Sequence, residues 1–310
     1  MNARQPGLEG VSFLQRGWLS SNSVLLHGAP GEGATLVDSG HCAHAEQTLA
    51  LVRHALAGEA LARLVNTHLH SDHCGGNATL QQAFAGVPTL VPPGPWDAVQ
   101  RWDEDALSYR PTRQRCVRFR ADATIAPGSR LHCGRRAWEV LAAPGHDPDA
   151  VMLFDAAHGV LVSADALWEN GFGVVFPELE GADAYDDVAA VLDLIERLPV
   201  RCVLPGHGAP FTDVAAALAR ARSRLAGFRA DPARHDRHAA KVLLKFHLLE
   251  ERAQPLAELR AWLAAAPLMH GTWLRLGRPG GSVEAWCDAL VAELCATGVL
   301  AQRDGVVFDC

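Results

Sequence analysis

The stretch THLHSDHCGG, residues 67–76, places three histidines and one aspartate within six consecutive positions. It continues LARLVNTH (61–68), an apolar run that predicts a short buried strand. Residues two apart on a helix point about 200° apart, so this spacing does not make one helical face, whereas in a loop it can direct the side chains toward two neighbouring points. Imidazole and carboxylate groups suit zinc and related divalent metals, so the stretch predicts a metal-binding loop. Its candidate ligands are His68, His70, Asp72 and His73.

Three more candidate ligands end apolar, strand-like runs elsewhere in the chain. PGH occurs at 144–146 and at 205–207, and GVLVSAD (159–165) ends in an aspartate. A single Gly-His pair is more often a turn than a ligand, but four such sites in this order favour a metal centre. The added candidates are His146, Asp165 and His207. Gly75 and Gly76 are expected to let the backbone turn tightly into the following helix.

This ligand pattern resembles the metallo-β-lactamase-fold hydrolase superfamily, over about residues 10–212. The ligands that the resemblance implies for a first metal ion are His68, His70 and His146. Those that it implies for a second ion are Asp72, His73 and His207, with Asp165 between the two ions. Asp72 is also the candidate catalytic residue. Asp38, in LVDSG, is expected to be a structural support beneath the metal loop, with a turn cap as the alternative role.

The resemblance implies two divalent metal ions as cofactors, zinc in first place, with iron or manganese as alternatives. Ions about 3.5–4 Å apart can share a water, lower its pKa toward 7 and present a bridging hydroxide to the substrate. We therefore expect a metal-dependent hydrolase of a small carbonyl substrate: a thioester, an ester or a lactone. The alternatives are a single-strand RNA endonuclease of the same fold and an enzyme like the persulfide dioxygenases, which keep three of the ligands around one iron.

Two regions are candidates for substrate recognition. The loop ALWENGFGVVFPEL (166–179) carries Trp168, Phe172 and Phe176, which either wall an apolar acyl or aryl pocket or serve ordinary loop packing. Residues 220–245 hold eight Lys or Arg against two Asp. This basic stretch has three interpretations. The resemblance to glyoxalase II-like thioesterases implies that it recognises a glutathione group, and the resemblance to small RNA endonucleases of this fold implies that it follows nucleic-acid phosphates. Alternatively, its helices form a homodimer interface.

Composition and patterning divide the 310 residues into two units. The formal net charge of −7 splits into −10 for residues 1–213 and +3 for 214–310, which argues against a globally basic nucleic-acid binder. Alternating apolar runs and helical patterns predict an α/β fold, an αββα sandwich, for a catalytic domain over residues 1–212. A smaller, mostly helical, winged-helix-like domain is predicted over 213–310, from helical patterns at 213–229, 238–250, 256–265 and 282–298 and a hairpin at 299–308.

Export and membrane signals are not recognisable in the sequence. It has no apolar run of about 18 residues, and the initial MNARQPGLEG lacks the apolar segment of a signal peptide. Its eight cysteines are scattered without a CxxC pair. We therefore expect a cytoplasmic protein with reduced thiols, no membrane contact and a small molecule as its partner.

Overall fold

The computed structural model describes residues 7–310 and contains two sheets that pack face to face. The first sheet has its strands side by side in chain order: β1 (Val11–Leu14), β2 (Ser23–Leu26), β3 (Ala34–Val37), β4 (Leu61–Val65), β5 (Thr89–Val91) and β6 (Ala123–Thr124). The second sheet runs from edge to edge as β11 (Cys202–Pro205), β10 (Val160–Ala164), β9 (Val151–Asp155), β8 (Arg136–Ala142) and β7 (Arg130–Cys133). Neighbours from β3 to β6 are parallel, as are β10 and β11, and the remaining neighbours are antiparallel.

The inner faces of these two sheets share one apolar core. Val24 and Val37 of the first sheet pack with Trp138 and Val140 of the second. Along β8 the buried Trp138 and Val140 alternate with an exposed Ala137, as expected for a strand that has one face on the core. Burial of this apolar surface is the main force that holds the sheets together.

Helices cover the outer faces of both sheets. The helices in the first 200 residues are α1 (Ala45–Leu56), α2 (Ser71–Cys74), α3 (Asn77–Ala83), α4 (Trp96–Arg101), α5 (Tyr109–Thr112), α6 (Phe176–Leu179) and α7 (Tyr185–Arg197). Val52 of α1 and Leu80 of α3 pack on the first sheet. Leu192 of α7 and Leu225 of the following helix, α8 (Val214–Ala230), pack on the second. The predicted mixed α/β class is confirmed.

The remaining chain forms a helical unit with its own small sheet. Its helices are α9 (Pro232–Glu251), α10 (Leu256–Ala265), α11 (Pro267–Arg275) and α12 (Val283–Ala296). They enclose a second apolar core, in which Leu244 and Leu263 are fully buried. The strands lie in the order β12 (Ala253–Pro255), β14 (Val306–Asp309), β13 (Leu300–Arg303), all antiparallel.

This unit differs in detail from the sequence prediction. Helix α9 begins at Pro232, not at 238, because proline fits the first turn of a helix, where its missing N–H costs no hydrogen bond. Helix α11 was not predicted, and a third strand, β12, joins the predicted hairpin. Helix α8 lies beyond the predicted boundary at 212 but shares the core of the second sheet. The winged-helix resemblance and the domain boundary stay predictions.

Within residues 7–310, none of the helices combines the length and the apolar character that a membrane span requires.

Candidate metal centre

The ends of four strands bring the predicted ligands together. His68 follows β4, His146 follows β8, Asp165 directly follows β10 and His207 follows β11. The other three lie in the short segment that leads from His68 into α2. All seven side chains are buried and form one cluster: His68, His70, Asp72, His73, His146, Asp165 and His207.

The cluster divides into two groups of donor atoms. The first is His68, His70 and His146, and the second is Asp72, His73, Asp165 and His207. Within each group, one ligand atom per residue lies within 4.8 Å of the others. These are the two sets that the sequence resemblance implies.

Asp165 lies between the two groups. Its Oδ2 is 3.4 Å from Nε2 of His146 in the first group and 3.9 Å from Nε2 of His207 in the second. Its Oδ1 is 3.4 Å from Nε2 of His73. One carboxylate therefore faces donors of both groups, as a bridging ligand must.

Two imidazoles make hydrogen bonds through Nδ1, the nitrogen that points away from the cluster, and these bonds fix the orientation of each ring. His73 donates from Nδ1 to Oδ2 of Asp38 (2.8 Å), and His146 donates from Nδ1 to the carbonyl oxygen of Val174 (2.6 Å). Because carboxylate and carbonyl oxygens only accept, Nδ1 carries the proton in both rings. Nε2 is therefore the nitrogen that each ring directs into the cluster, where it would bind a metal ion. In the structure, Nε2 of His146 lies 2.8 Å from Nδ1 of His70.

Asp38 also anchors the start of the ligand segment. Besides His73, it accepts hydrogen bonds from the backbone N–H (2.9 Å) and from the hydroxyl (2.8 Å) of Thr67. Its φ is +57°, a left-handed conformation that Asp and Asn adopt more readily than most residues. Asp38 thus contacts the metal loop from beneath, and its supporting role stays a prediction.

We expect Asp38→Ala to lower the free energy of unfolding by about 3 kcal/mol, because it leaves buried donors of Thr67 and His73 without an acceptor. Denaturant unfolding would measure this loss. Asp38→Asn is the matched control, since it keeps the backbone preference and one acceptor oxygen, and its loss should be smaller. Equal stability of Asp38→Ala and the parent chain would contradict the supporting role.

Two observations test whether the cluster fits metal ions. Nε2 of His68 and Nε2 of His73 are buried and have no hydrogen-bond partner among residues 7–310. Burial alone would lower the pKa of His73, but the carboxylates of Asp165, Asp38 and Asp72 raise it well above its usual value. The cluster therefore combines buried imidazole nitrogens that lack hydrogen-bond partners with carboxylates that favour positive charge, which suits divalent cations.

Close packing explains several glycines around the centre. Gly75 and Gly76 form the turn between α2 and α3 that the sequence predicts, although their φ values of −62° and −83° are open to other residues too. A Cβ on either residue would overlap backbone atoms of the segment 39–42. A Cβ on Gly206 would overlap Oδ1 of Asp165, and one on Gly173 would overlap Nδ1 of His146. These positions need glycine because other groups approach them closely.

Two of the three predicted aromatic residues lie beside the ligands. Trp168 donates from Nε1 to Oδ1 of Asp165 (3.2 Å), and its ring centroid is 5.3 Å from that of His207. The Phe176 centroid lies 4.7 Å from that of His70. Phe172 is only 3% exposed and packs in the core against Phe228, so it does not line the predicted pocket. Its hydrophobic character suits loop packing, the alternative role.

Sequence reasoning missed a further aromatic residue, Trp18. It lies in the loop between β1 and β2, is 59% exposed, and stacks on His207 with 5.4 Å between centroids and 6° between planes. It also meets Trp168 edge to face, at 5.6 Å. Nothing in its sequence neighbourhood resembles a binding motif, because the contact depends on tertiary packing alone.

Much of the basic stretch at 220–245 is engaged in ion pairs within the chain. Arg222 pairs with Asp193 (2.7 Å) and Glu196 (2.9 Å), and Arg229 pairs with Asp186. Further pairs join Arg237 to Asp231, Lys241 to Glu293 and Lys245 to Asp309. These contacts weaken the interpretation of the stretch as a surface for nucleic-acid phosphates.

Comparison with known proteins agrees with this geometry. A family model described as the metallo-beta-lactamase superfamily matches residues 16–207. A hydroxyacylglutathione hydrolase of Anaeromyxobacter dehalogenans is 31% identical over 221 residues, which cover 69% of this chain and 74% of that protein. Among solved structures, TTHA1623 in a di-iron-bound form gives a TM-score of 0.55 at 28% identity, covering 68% of this chain and 98% of that one.

A second relative is the acyl-coenzyme A thioesterase MBLAC2 of Gallus gallus. It is 28% identical over 161 residues, and the match spans 49% of this chain and 58% of the thioesterase. The relatives confirm the prediction of a metal-dependent hydrolase. The family model covers well over half of the 310 residues. The chain therefore belongs to the metallo-beta-lactamase superfamily.

Proposed function

We propose that the protein is a dinuclear metal-dependent hydrolase that cleaves a small carbonyl substrate, with a thioester in first place and an ester or lactone next. The observation that carries this proposal is the position of Asp165 between two groups of buried donors. The names of two relatives, a hydroxyacylglutathione hydrolase and an acyl-coenzyme A thioesterase, favour the thioester.

In this proposal each donor group holds one divalent ion. His68, His70 and His146 hold the first, and Asp72, His73 and His207 hold the second, with Asp165 shared. Ions held there would lower the pKa of a bound water and polarise the substrate carbonyl. We propose zinc for both, with iron or manganese as alternatives, since this donor set accepts all three.

Asp72 is proposed to act in catalysis as well as in binding. Burial raises the pKa of its carboxyl group, but the charges of His73 and His207 outweigh burial and lower it. The carboxylate therefore remains ionised at neutral pH, with Oδ2 3.0 Å from Nε2 of His207. An ionised oxygen at this position can orient an attacking water by accepting its hydrogen bond.

Aromatic rings flank both donor groups. Trp18 and Trp168 lie against His207 of the second group, and Phe176 lies against His70 and His146 of the first. Apolar rings around a few convergent polar groups are typical of a small-molecule site. We propose that these rings contact the acyl part of the substrate.

We expect Trp18→Ala to raise KM for a long-chain acyl thioester about tenfold with little change in kcat, since burial of the acyl chain on the indole is worth about 1–2 kcal/mol. The effect should shrink as the acyl chain is shortened. Steady-state kinetics over a chain-length series would measure it. Leu274→Ala, which truncates an apolar side chain 43% exposed on α11, is the control and should leave KM unchanged. An equal KM increase for every chain length would contradict acyl contact.

The function is tested by metal content and turnover together. Plasma mass spectrometry of the purified protein would be paired with assays on an acyl thioester, a lactone and single-stranded RNA. About two metal ions per chain with thioester or lactone hydrolysis would support the proposal. One iron without hydrolysis would favour chemistry like that of the persulfide dioxygenases. Cleavage of RNA without thioester or lactone turnover would favour the endonuclease.

We also propose a domain type, a subunit interface and a cellular location for the protein. The unit of α9 to α12 with its three-stranded sheet is proposed to be winged-helix-like. Its helices are proposed as the interface of a homodimer. The protein is proposed to act in the cytoplasm on a small molecule.

A further inference from the structure

Side chains from the C-terminal helices hold one loop of the metal centre by its backbone. This metal-site loop, residues 165–179, begins at Asp165 and includes Trp168 and Phe176. It is bound at four backbone positions. The contacts are Arg220 Nε to the oxygen of Glu169 (2.7 Å), Arg224 Nη1 to the oxygen of Phe172 (3.3 Å), the N–H of Val175 to His235 Nε2 (3.1 Å), and Arg275 Nη1 to the oxygen of Leu179.

His235, on α9, makes the most deeply buried of these contacts. It is 1% exposed, and its ring lies between Tyr185 (5.8 Å) and Phe228 (4.9 Å). Burial, followed by the charge of Arg275, lowers the pKa of His235 to about 4. The ring is therefore neutral at pH 7, and Nε2 keeps the lone pair that accepts from Val175.

The residues on either side of Val175 touch the metal ligands. The carbonyl oxygen of Val174 accepts the hydrogen bond from Nδ1 of His146, at 2.6 Å. The ring of Phe176 lies 5.5 Å from that of His146. Gly173 passes so close to His146 that a Cβ would overlap Nδ1. Any shift of the backbone at 173–176 must therefore turn the imidazole of His146.

We propose that His235 is a positioning residue, which fixes the backbone at Val175 and thereby orients His146 toward the first metal ion. This inference rests on the proposed ligand role of His146. It gives the C-terminal helices a role separate from substrate recognition and from a subunit interface. A group that contacts a ligand directly, as the carbonyl oxygen of Val174 contacts His146, typically contributes about 10–100-fold to metal affinity, and His235 acts one step further out.

The test compares three variants of the full chain by the rate at which a chelator removes metal. His235→Leu should speed removal of one metal ion severalfold, up to about tenfold. His235→Gln should restore much of the retention, because its amide oxygen can accept from the N–H of Val175. His238→Leu is the matched control, three residues along the same helix, and should retain metal like the parent. Thermal unfolding of each variant would separate positioning from general destabilisation.

Unchanged metal retention in a folded His235→Leu variant would overturn the inference. Equal losses in His235→Leu, His235→Gln and His238→Leu would overturn it too, because they would show a merely structural role. If His235→Leu does not fold, His235→Phe, which keeps a planar ring but has no acceptor for the N–H of Val175, makes the same test, and parent-like retention in that variant overturns the inference. His146→Ala distinguishes failure of the proposed ligand set from failure of the positioning role of His235. If His146→Ala keeps both metal ions, His146 is not a ligand and the proposed ligand set is wrong.

Discussion

Asp165→Ala is expected to lower kcat/KM by at least about 10³-fold, or ~4 kcal/mol of transition-state stabilisation. The reason is the position of its carboxylate, with Oδ2 3.4 Å from Nε2 of His146 and 3.9 Å from Nε2 of His207. Removal of this one side chain should therefore weaken the binding of both proposed metal ions. Metal analysis should find fewer than two ions per chain. The far-ultraviolet circular dichroism spectrum should match that of the parent, because the fold is retained.

Asp149→Ala is the control for this variant. Asp149 is an exposed aspartate only three residues beyond His146, and its removal should leave metal content and turnover unchanged. His70→Ala and Asp72→Ala, which each remove one donor of a single group, should also abolish hydrolysis while the chain still folds. Turnover that survives in Asp165→Ala would contradict a shared carboxylate.

A single added methyl group beside Asp165 is also expected to have a large effect. In Gly206→Ala the new Cβ would overlap Oδ1 of Asp165 and would lie 3.0 Å from Cε1 of His73. Neither neighbour can retreat easily, because both are buried. We expect a loss of about 1–3 kcal/mol in unfolding free energy from overpacking. A displacement of about 1 Å in the ligands would lower kcat about 10²-fold.

Gly208→Ala distinguishes this clash from a general need for glycine beside His207. Gly208 has a φ of +88°, and no atom lies within 4 Å of the position of its Cβ. Alanine there should cost about 1–2 kcal/mol of stability through backbone strain, with metal content retained. If the two variants lost metal equally, the proposed clash at Asp165 would not be the cause.

The ligand cluster was predictable because its residues are tied to strand ends. A strand fixes the direction of the residue that follows it, so His68, Asp165 and His207 converge once the strands are in their sheets. The αββα layering followed from alternating patterns for the same reason. The local periodicity of the sequence predicts the strands, and the polar residues that follow those strands are the candidate ligands.

Contacts that depend on the packing of distant segments were not predictable. Trp18 reaches His207 across about 190 positions of sequence, and Phe172 turns into the core although its neighbours line the site. His235 reads as an ordinary residue of a basic helix until its contact with Val175 is known. The turn at Gly75 was predictable, but the steric crowding that requires glycine there was not.

Helix α8 and the second sheet share one apolar core, which affects how the protein unfolds. Leu218, Leu225 and Phe228 belong to the same apolar cluster as Leu192 of α7. A fragment that ends at residue 212 would lack α8, so this cluster would be exposed to water as an apolar surface that favours self-association. We therefore expect the two sheets and α8 to unfold as one cooperative unit, so that limited proteolysis at residue 212 would not release a stable fragment.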